Sequence, residues 1–134
     1  MKKQDHKKYR GFRNAGIRLT EEVSPTLGDH SSKRVIRILY AVHKFDKAHV
    51  VMLTEEKLIP RDVGALILKG LKDMEKQGIE KVRLENGGGI HSGEQYLIRQ
   101  LGEEVGGYIH LGRSSGDLGK VANLILQRDN ILRI

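Results

Sequence analysis

Residues 34–53 read RVIRILYAVHKFDKAHVVML. Apolar side chains fall at Val35, Ile38, Leu39, Val42, Phe45, Val50 and Met52, close to the 3.6-residue period of an α-helix. The run predicts a first helix of about twenty residues, followed by a connector over 54–59. Pro60 opens a second helix, because the N–H that proline lacks has no acceptor inside a helix at that position. Val63, Leu66, Ile67, Leu71 and Met74 form its apolar stripe. Gly78 is its stop, since glycine takes left-handed backbone cheaply.

The remaining elements are shorter. In residues 79–85, Ile79, Val82 and Leu84 stand against Glu80, Lys81 and Arg83, which predicts a brief extended segment. Residues 86–89, Asn-Gly-Gly-Gly, form a flexible turn. Ser92 and Gln95 have the spacing of a capping box, so a third helix starts there and runs to about Leu101, with Leu97, Ile98 and Leu101 facing inward. Gly106 and Gly107 break the chain. Asp117 caps a last helix with the stripe Leu118, Val121, Leu124, Ile125, Ile131 and Leu132. That helix runs to Ile134 with no polar cap, so a chain that continues beyond Ile134, or a partner that covers the end, is expected. The fold class is all-α, with a basic, flexible arm over 1–31 and a helical domain over 32–134.

Composition limits the function. The chain has 134 residues, enough for one domain. Its 38% hydrophobic and 31% charged residues describe a modest core under a wet surface. No run of about 18 apolar residues exists to span a membrane, and no apolar segment follows the basic N-terminus to make a secretory signal. The absence of cysteine excludes disulfides, thiolate nucleophiles and cysteine-held metals, and suits a cytoplasmic protein. The net charge of +7 is concentrated in the arm. Residues 1–20 hold seven bases against one acid, leaving 17 bases and 16 acids in the rest. A solvated terminus explains this pattern. With only 4% aromatic residues to stack on bases, nucleic acid is not the expected partner.

Six histidines are candidates for chemistry: His6, His30, His43, His49, His91 and His110. No H-E-x-x-H motif is present. His43 and His49, six residues apart on one helix, do not share a face and read as structural, so no metal is expected. The glycines at 87–89 lack the spacing of a phosphate loop, and no cofactor is expected. Residues 110–117, HLGRSSGD, are more suggestive. Free N–H groups at a helix start attract anions, serine hydroxyls add donors, and an arginine can fork onto a carboxylate. This chemistry suits a dicarboxylate, although a plain helix cap uses the same residues.

Residues 102–117, GEEVGGYIHLGRSSGD, resemble the first signature region of the argininosuccinate lyases, which runs approximately G-E-x-V-G-G-x-L-H-T-G-R-S-R-N-D-Q. Other anchors keep the family's order. Ile90-His91 is similar to its D-I-H, residues 48–53 (AHVVML) to A-H-A-x-M-L, and Leu58-Ile59-Pro60 to G-I-I-P. Residues 68–71 (LKGL) resemble I-L-x-G-L, and residues 124–129 (LILQRD) resemble L-R-L-x-L-R-D. The resemblance covers residues 40–134. It implies the argininosuccinate lyase branch of the fumarase/aspartase superfamily, and within it the N-terminal helical domain that leads into the central helix bundle.

Such enzymes eliminate fumarate as carbon–nitrogen or carbon–oxygen lyases. They are homotetramers whose active sites combine three signature regions from three subunits. On that resemblance Ser114, Ser115 and Gly116 hold a substrate carboxylate, and Arg113 orients the loop or aids binding. Asp117 caps the helix that fixes the loop, and His91 lies near the substrate. The family's second and third signature regions, including the loop that supplies its serine base, have no counterpart here. No catalytic residue is therefore assigned, and this chain alone is expected to be inactive. Ser115 and Gly116 replace the family's Arg and Asn, and Leu111 and Leu118 replace its Thr and Gln. These departures keep an alternative open: a non-catalytic helical module that binds a dicarboxylate or assembles with a protein.

Overall fold

The computed structural model describes the backbone of residues 32–133 and the side chains from residue 36 onward. The basic arm over 1–31, with His6 and His30, lies outside the described residues. Within them the fold is all-α. Helix α1 spans Ser32–Glu55, α2 Arg61–Gln77, α3 Ile79–Glu85, α4 Ser92–Leu101 and α5 Glu103–Gly106. A 3-10 turn over Gly107–His110 leads to α6, Ser115–Ile131. No described helix is long and apolar enough to cross a membrane.

Helix α1 is the spine. It packs against α2 and α3 on one side and against α6 on the other. Two apolar clusters result. The larger joins Val50 and Leu53 of α1 to Ile67, Leu71 and Met74 of α2, Val82 of α3, Tyr96 and Leu97 of α4, and Ile109 of the 3-10 turn. Each large aliphatic side chain buried there contributes about 1.5–3 kcal/mol of transfer free energy. The smaller joins Ala41 and Val42 of α1 to Leu118 and Ala122 of α6.

The buried face of α1 changes character along its length. It runs Leu39, Val42, His43, Asp46, His49, Val50, Leu53, all buried, with helical spacing throughout. Its middle is polar, so the two apolar clusters are separated by a layer of titratable groups. His43 and His49 thus both lie on the covered side of α1, flanking Asp46, contrary to the expectation that they occupy separate faces. Coverage from two directions makes the buried arc wide enough for both. Met52, expected in the apolar stripe, is exposed, as are Leu66 of α2, Leu124 and Ile131 of α6, and Leu132, which follows α6.

Several local expectations are corrected. Residues 79–85 form helix α3, not an extended segment. With no strand among the described residues to pair with, an extended segment would leave its backbone groups unsatisfied. A helix satisfies them locally and buries Val82 and Arg83 together. Gly106 and Gly107 do not break the chain but carry it from α5 into the 3-10 turn. Ser92 does not cap α4; His91 precedes the helix and Ser92 is its first residue. The Ser92 hydroxyl instead donates to the Gly89 carbonyl at 2.6 Å. Pro60 and Gly78 bound α2, but Pro60 is the cap ahead of the first helical residue, Arg61, with ψ 145°, and not that first residue; Gly78 ends the helix at φ +99°.

Candidate functional site

Residues 110–117 connect the 3-10 turn to α6. The cap of α6 is Ser114, not Asp117. The Asp117 N–H donates to Ser114 Oγ at 3.3 Å, and the Ser114 N–H donates to Asp117 Oδ2 at 2.6 Å. The Ser114 hydroxyl also donates to that carboxylate, at 2.9 Å. This reciprocal pairing is a capping box with aspartate in the third position. The Ser114 N–H and hydroxyl hold the Asp117 carboxyl below its ordinary value. The N–H groups of Ser115 and Gly116, in the first turn of α6, have no acceptor within the helix. They remain available to an anion.

The loop is tied to the polar layer of α1. Arg113 is buried, and its Nη2 donates to Asp46 Oδ1 at 2.6 Å. Its guanidinium carbon lies 5.1 Å from the centre of the Phe45 ring. Arg113 Nε and Nη1 are buried without a hydrogen-bond partner among the described residues. The other oxygen of Asp46 accepts from Nη2 of Arg83 at 2.5 Å. Arg83 is fully buried and reaches the Ser92 hydroxyl at 3.4 Å through Nη1. One carboxylate thus joins α1, α3 and the loop. Gly93 leaves room for it, since a Cβ there would lie 2.8 Å from both Arg83 Nη2 and Asp46 Oδ2. A second tether runs from His49, whose Nε2–H donates to the Leu111 carbonyl at 2.8 Å.

His91 faces the loop from the start of α4. Its Nε2 lies 2.8 Å from Ser115 Oγ, and its Nδ1 lies 3.2 Å from Glu94 Oε2. Ser115 and Glu94 are both buried. The His110 ring stands 4.9 Å from that of His91, centre to centre. Five of the six residues singled out in sequence (His91, Arg113, Ser114, Ser115 and Asp117) therefore form one connected group. The sixth, Gly116, sits exposed among them in the first turn of α6. The side chain of Arg113 is turned inward to Asp46 rather than out towards a ligand. Asp46, Arg83, Gly93 and Glu94 complete the group, and the sequence reading did not include them. The available signal was Asp46 on the covered stripe of α1, three residues from each of two histidines.

Three histidines make the site acid-sensitive. Burial is the leading reason why His43, His49 and His110 are all held below the ordinary value of 6.5. Arg83 lowers His43 further, Arg113 lowers His49, and His91 and Arg113 lower His110. Hydrogen bonds and nearby carboxylates oppose the shifts without reversing them. Neutral His43 donates from Nε2 to Glu75 at 3.0 Å, and its Nδ1 accepts from Arg83 at 3.4 Å. Because the native state binds fewer protons than the unfolded chain, the stability linked to these groups is full above 6.5 and is lost as pH falls through the lowered values. The melting temperature is expected to fall between about pH 7 and about pH 5, as a scanning calorimetry series would show. A midpoint that is flat or rises on acidification would contradict it.

Comparison with known proteins gives one consistent answer. The chain is 38% identical over 91 residues to the argininosuccinate lyase of Methanocaldococcus jannaschii, covering 66% of this chain and 19% of that protein. It is 32% identical over 110 residues to that of Pyrobaculum calidifontis, covering 81% of this chain and 24% of the relative. For Methanosarcina barkeri the identity is 42% over 72 residues, covering 54% and 15%. The chain thus spans about a fifth to a quarter of the length of the first two curated relatives. No family model matches it, and no solved structure does.

Proposed function

We propose that the chain, similar in sequence to the argininosuccinate lyases, supplies the first signature loop of a shared lyase active site. The reaction is elimination of fumarate from a succinyl-amine substrate by carbon–nitrogen cleavage, in a cytoplasmic homotetramer whose other regions bring the base. The chain is the N-terminal part of such an enzyme and has no lyase activity alone. The observation that carries this reading is the anchored helix start. The N–H groups of Ser115 and Gly116 and the hydroxyl of Ser115 stand together at the positive end of α6.

Proton loss from the carbon beside a carboxylate spreads negative charge onto the carboxylate oxygens. Donors fixed there stabilise that charge more than the substrate's ground state. Ser115 and Gly116 are the direct donors. Arg113 acts through Asp46 as a positioning residue, and Ser114 with Asp117 holds the first turn of α6. His91 Nε2 sets the Ser115 proton: when Nε2 carries hydrogen and donates to Oγ, the serine's own hydrogen is free for the ligand.

Succinate titrated into the isotope-labelled full chain is expected to shift the amide resonances of Ser115 and Gly116. Ser115→Ala and Arg113→Ala are each expected to weaken succinate binding by about tenfold, the worth of one charge-assisted hydrogen bond or its alignment. Unchanged affinity in both variants would remove the assignment. One observation favours the second reading, a non-catalytic dicarboxylate-binding or assembly module: Ser115 and Gly116 stand where the family signature has Arg and Asn. Fumarate release by the natural assembly containing this chain separates the two.

A further inference from the structure

We infer that His91, Glu94 and His110 form a binding site for a zinc-class divalent ion, set between the start of α4 and the loop that precedes α6. One ligand atom from each residue lies within 4.8 Å of the others. Glu94 Oε2 is 3.2 Å from His91 Nδ1 and 4.0 Å from His110 Nδ1. Tetrahedral zinc, with bonds of about 2.0–2.1 Å, places its ligand atoms about 3.3 Å apart. The His91–Glu94 spacing already meets that figure, and His110 must close by about 0.7 Å on Glu94 and by at most about 1.5 Å on His91.

The surroundings fit the ion beyond the three distances. His110 Nδ1 is buried and has no hydrogen-bond partner among the described residues. An orphaned ring nitrogen facing a buried carboxylate is costly unless something satisfies both. A cation between them does so, with Glu94 supplying the charge. His91 is oriented from its far side by Ser115 Oγ, 2.8 Å from Nε2. With Nδ1 on the metal, Nε2–H donates to that hydroxyl, the kind of outer contact that fixes a ligating imidazole. Two imidazoles and one carboxylate favour zinc over magnesium or calcium, which prefer oxygen-only ligands. Three protein ligands leave a fourth position open.

Sequence spacing alone conceals the site. His91 and Glu94 are one helical turn apart, but His110 reaches them only because α5 and the 3-10 turn fold back on α4. The ion would pin His91, and through it Ser115, to the α4 side of the loop. This inference does not depend on the lyase reading, because its probe is the metal alone.

The test is titration of the full chain at neutral pH with Zn2+, with Mg2+ as the comparison, and with Co2+ for its visible spectrum. One equivalent of Zn2+ is expected to bind, with imidazole resonances of His91 and His110 shifting together and Mg2+ producing neither effect. Glu94→Gln and His110→Ala should each weaken Zn2+ at least about tenfold, as loss of a direct ligand requires. Replacing both His6 and His30 by alanine should leave the affinity unchanged. No stoichiometric binding, binding lost only in the His6/His30 variant, or full affinity in Glu94→Gln would each overturn the site. If His110→Ala fails to fold by circular dichroism, Glu94→Gln and the unsubstituted chain's imidazole shifts still decide it.

Discussion

Replacing Asp46 with alanine is expected to destabilise the chain by about 3–5 kcal/mol, the usual cost of removing one partner from a buried ion pair. The reason is the imbalance it leaves. Asp46 is buried and neutralises Arg83 through one oxygen and Arg113 through the other. Without it, two guanidinium groups remain in the interior, and Arg113 Nε and Nη1 already lack partners among the described residues. Asp46→Asn keeps the shape but not the charge, and should recover only a small part of the loss. Urea denaturation at neutral pH measures both. A cost below about 1 kcal/mol for Asp46→Ala would show that the network contributes no more than a surface pair. The double variant Asp46→Leu with Arg83→Met removes one charge of each sign and should cost less than the sum of its single changes. The effect would extend to the loop, because Arg113 loses its anchor while Ser114 keeps its own cap.

How much of this was legible in the sequence depended on whether a signal was local. The long helices were readable because their apolar spacing repeats over several turns, as in α1 and α2. The start of α6 was readable because serine, glycine and aspartate cluster just before an apolar run, although the cap fell on Ser114 and not on Asp117. The ambiguous positions were those where two local rules compete. Ser92 and Gln95 have capping-box spacing, yet Ser92 is more useful bonding back to Gly89 and receiving Arg83. Ile79, Val82 and Leu84 mix a spacing of two with a spacing of three, so α3 looked extended until its packing against α1, α2 and α4 decided it.

The polar layer was illegible for a different reason. Asp46, Arg83 and Glu94 look like ordinary surface charges when each is read alone. Long charged residues are almost never fully buried unless paired, and these partners lie far apart in sequence. Asp46 and Arg83 are 37 residues apart, and Asp46 and Arg113 are 67. Only the folding of α3 and the loop onto α1 brings them together. The resemblance to the lyases pointed to the loop residues but carried no information on what holds them in place.

Gly106→Ala is the second change expected to have a large effect, and it tests the geometry that delivers His110 and the loop to α4. A Cβ at position 106 would lie 2.5 Å from the Ile98 nitrogen and 2.6 Å from the Leu97 carbonyl carbon. Real Cβ atoms do not approach backbone that closely, and a main chain cannot rotate out of the way as a side-chain end can. To admit one methyl group, α5 must move off α4. That opens the cluster around Leu97 and Ile109, which the same segment closes. Overpacking of this kind costs about 1–3 kcal/mol, and more where backbone must shift. The upper end is expected here because the clash is with main chain. Gly107→Ala is the control, since a Cβ there meets nothing within 4 Å, and its cost should stay within about 0.5 kcal/mol. If the two alanines prove equally mild in urea denaturation, α5 is not seated on the backbone of α4, and the placement of His110 beside His91 loses its structural basis. If Gly106→Ala alone is severe, the displaced turn should also weaken Zn2+ binding, linking the packing of one glycine to the proposed metal site.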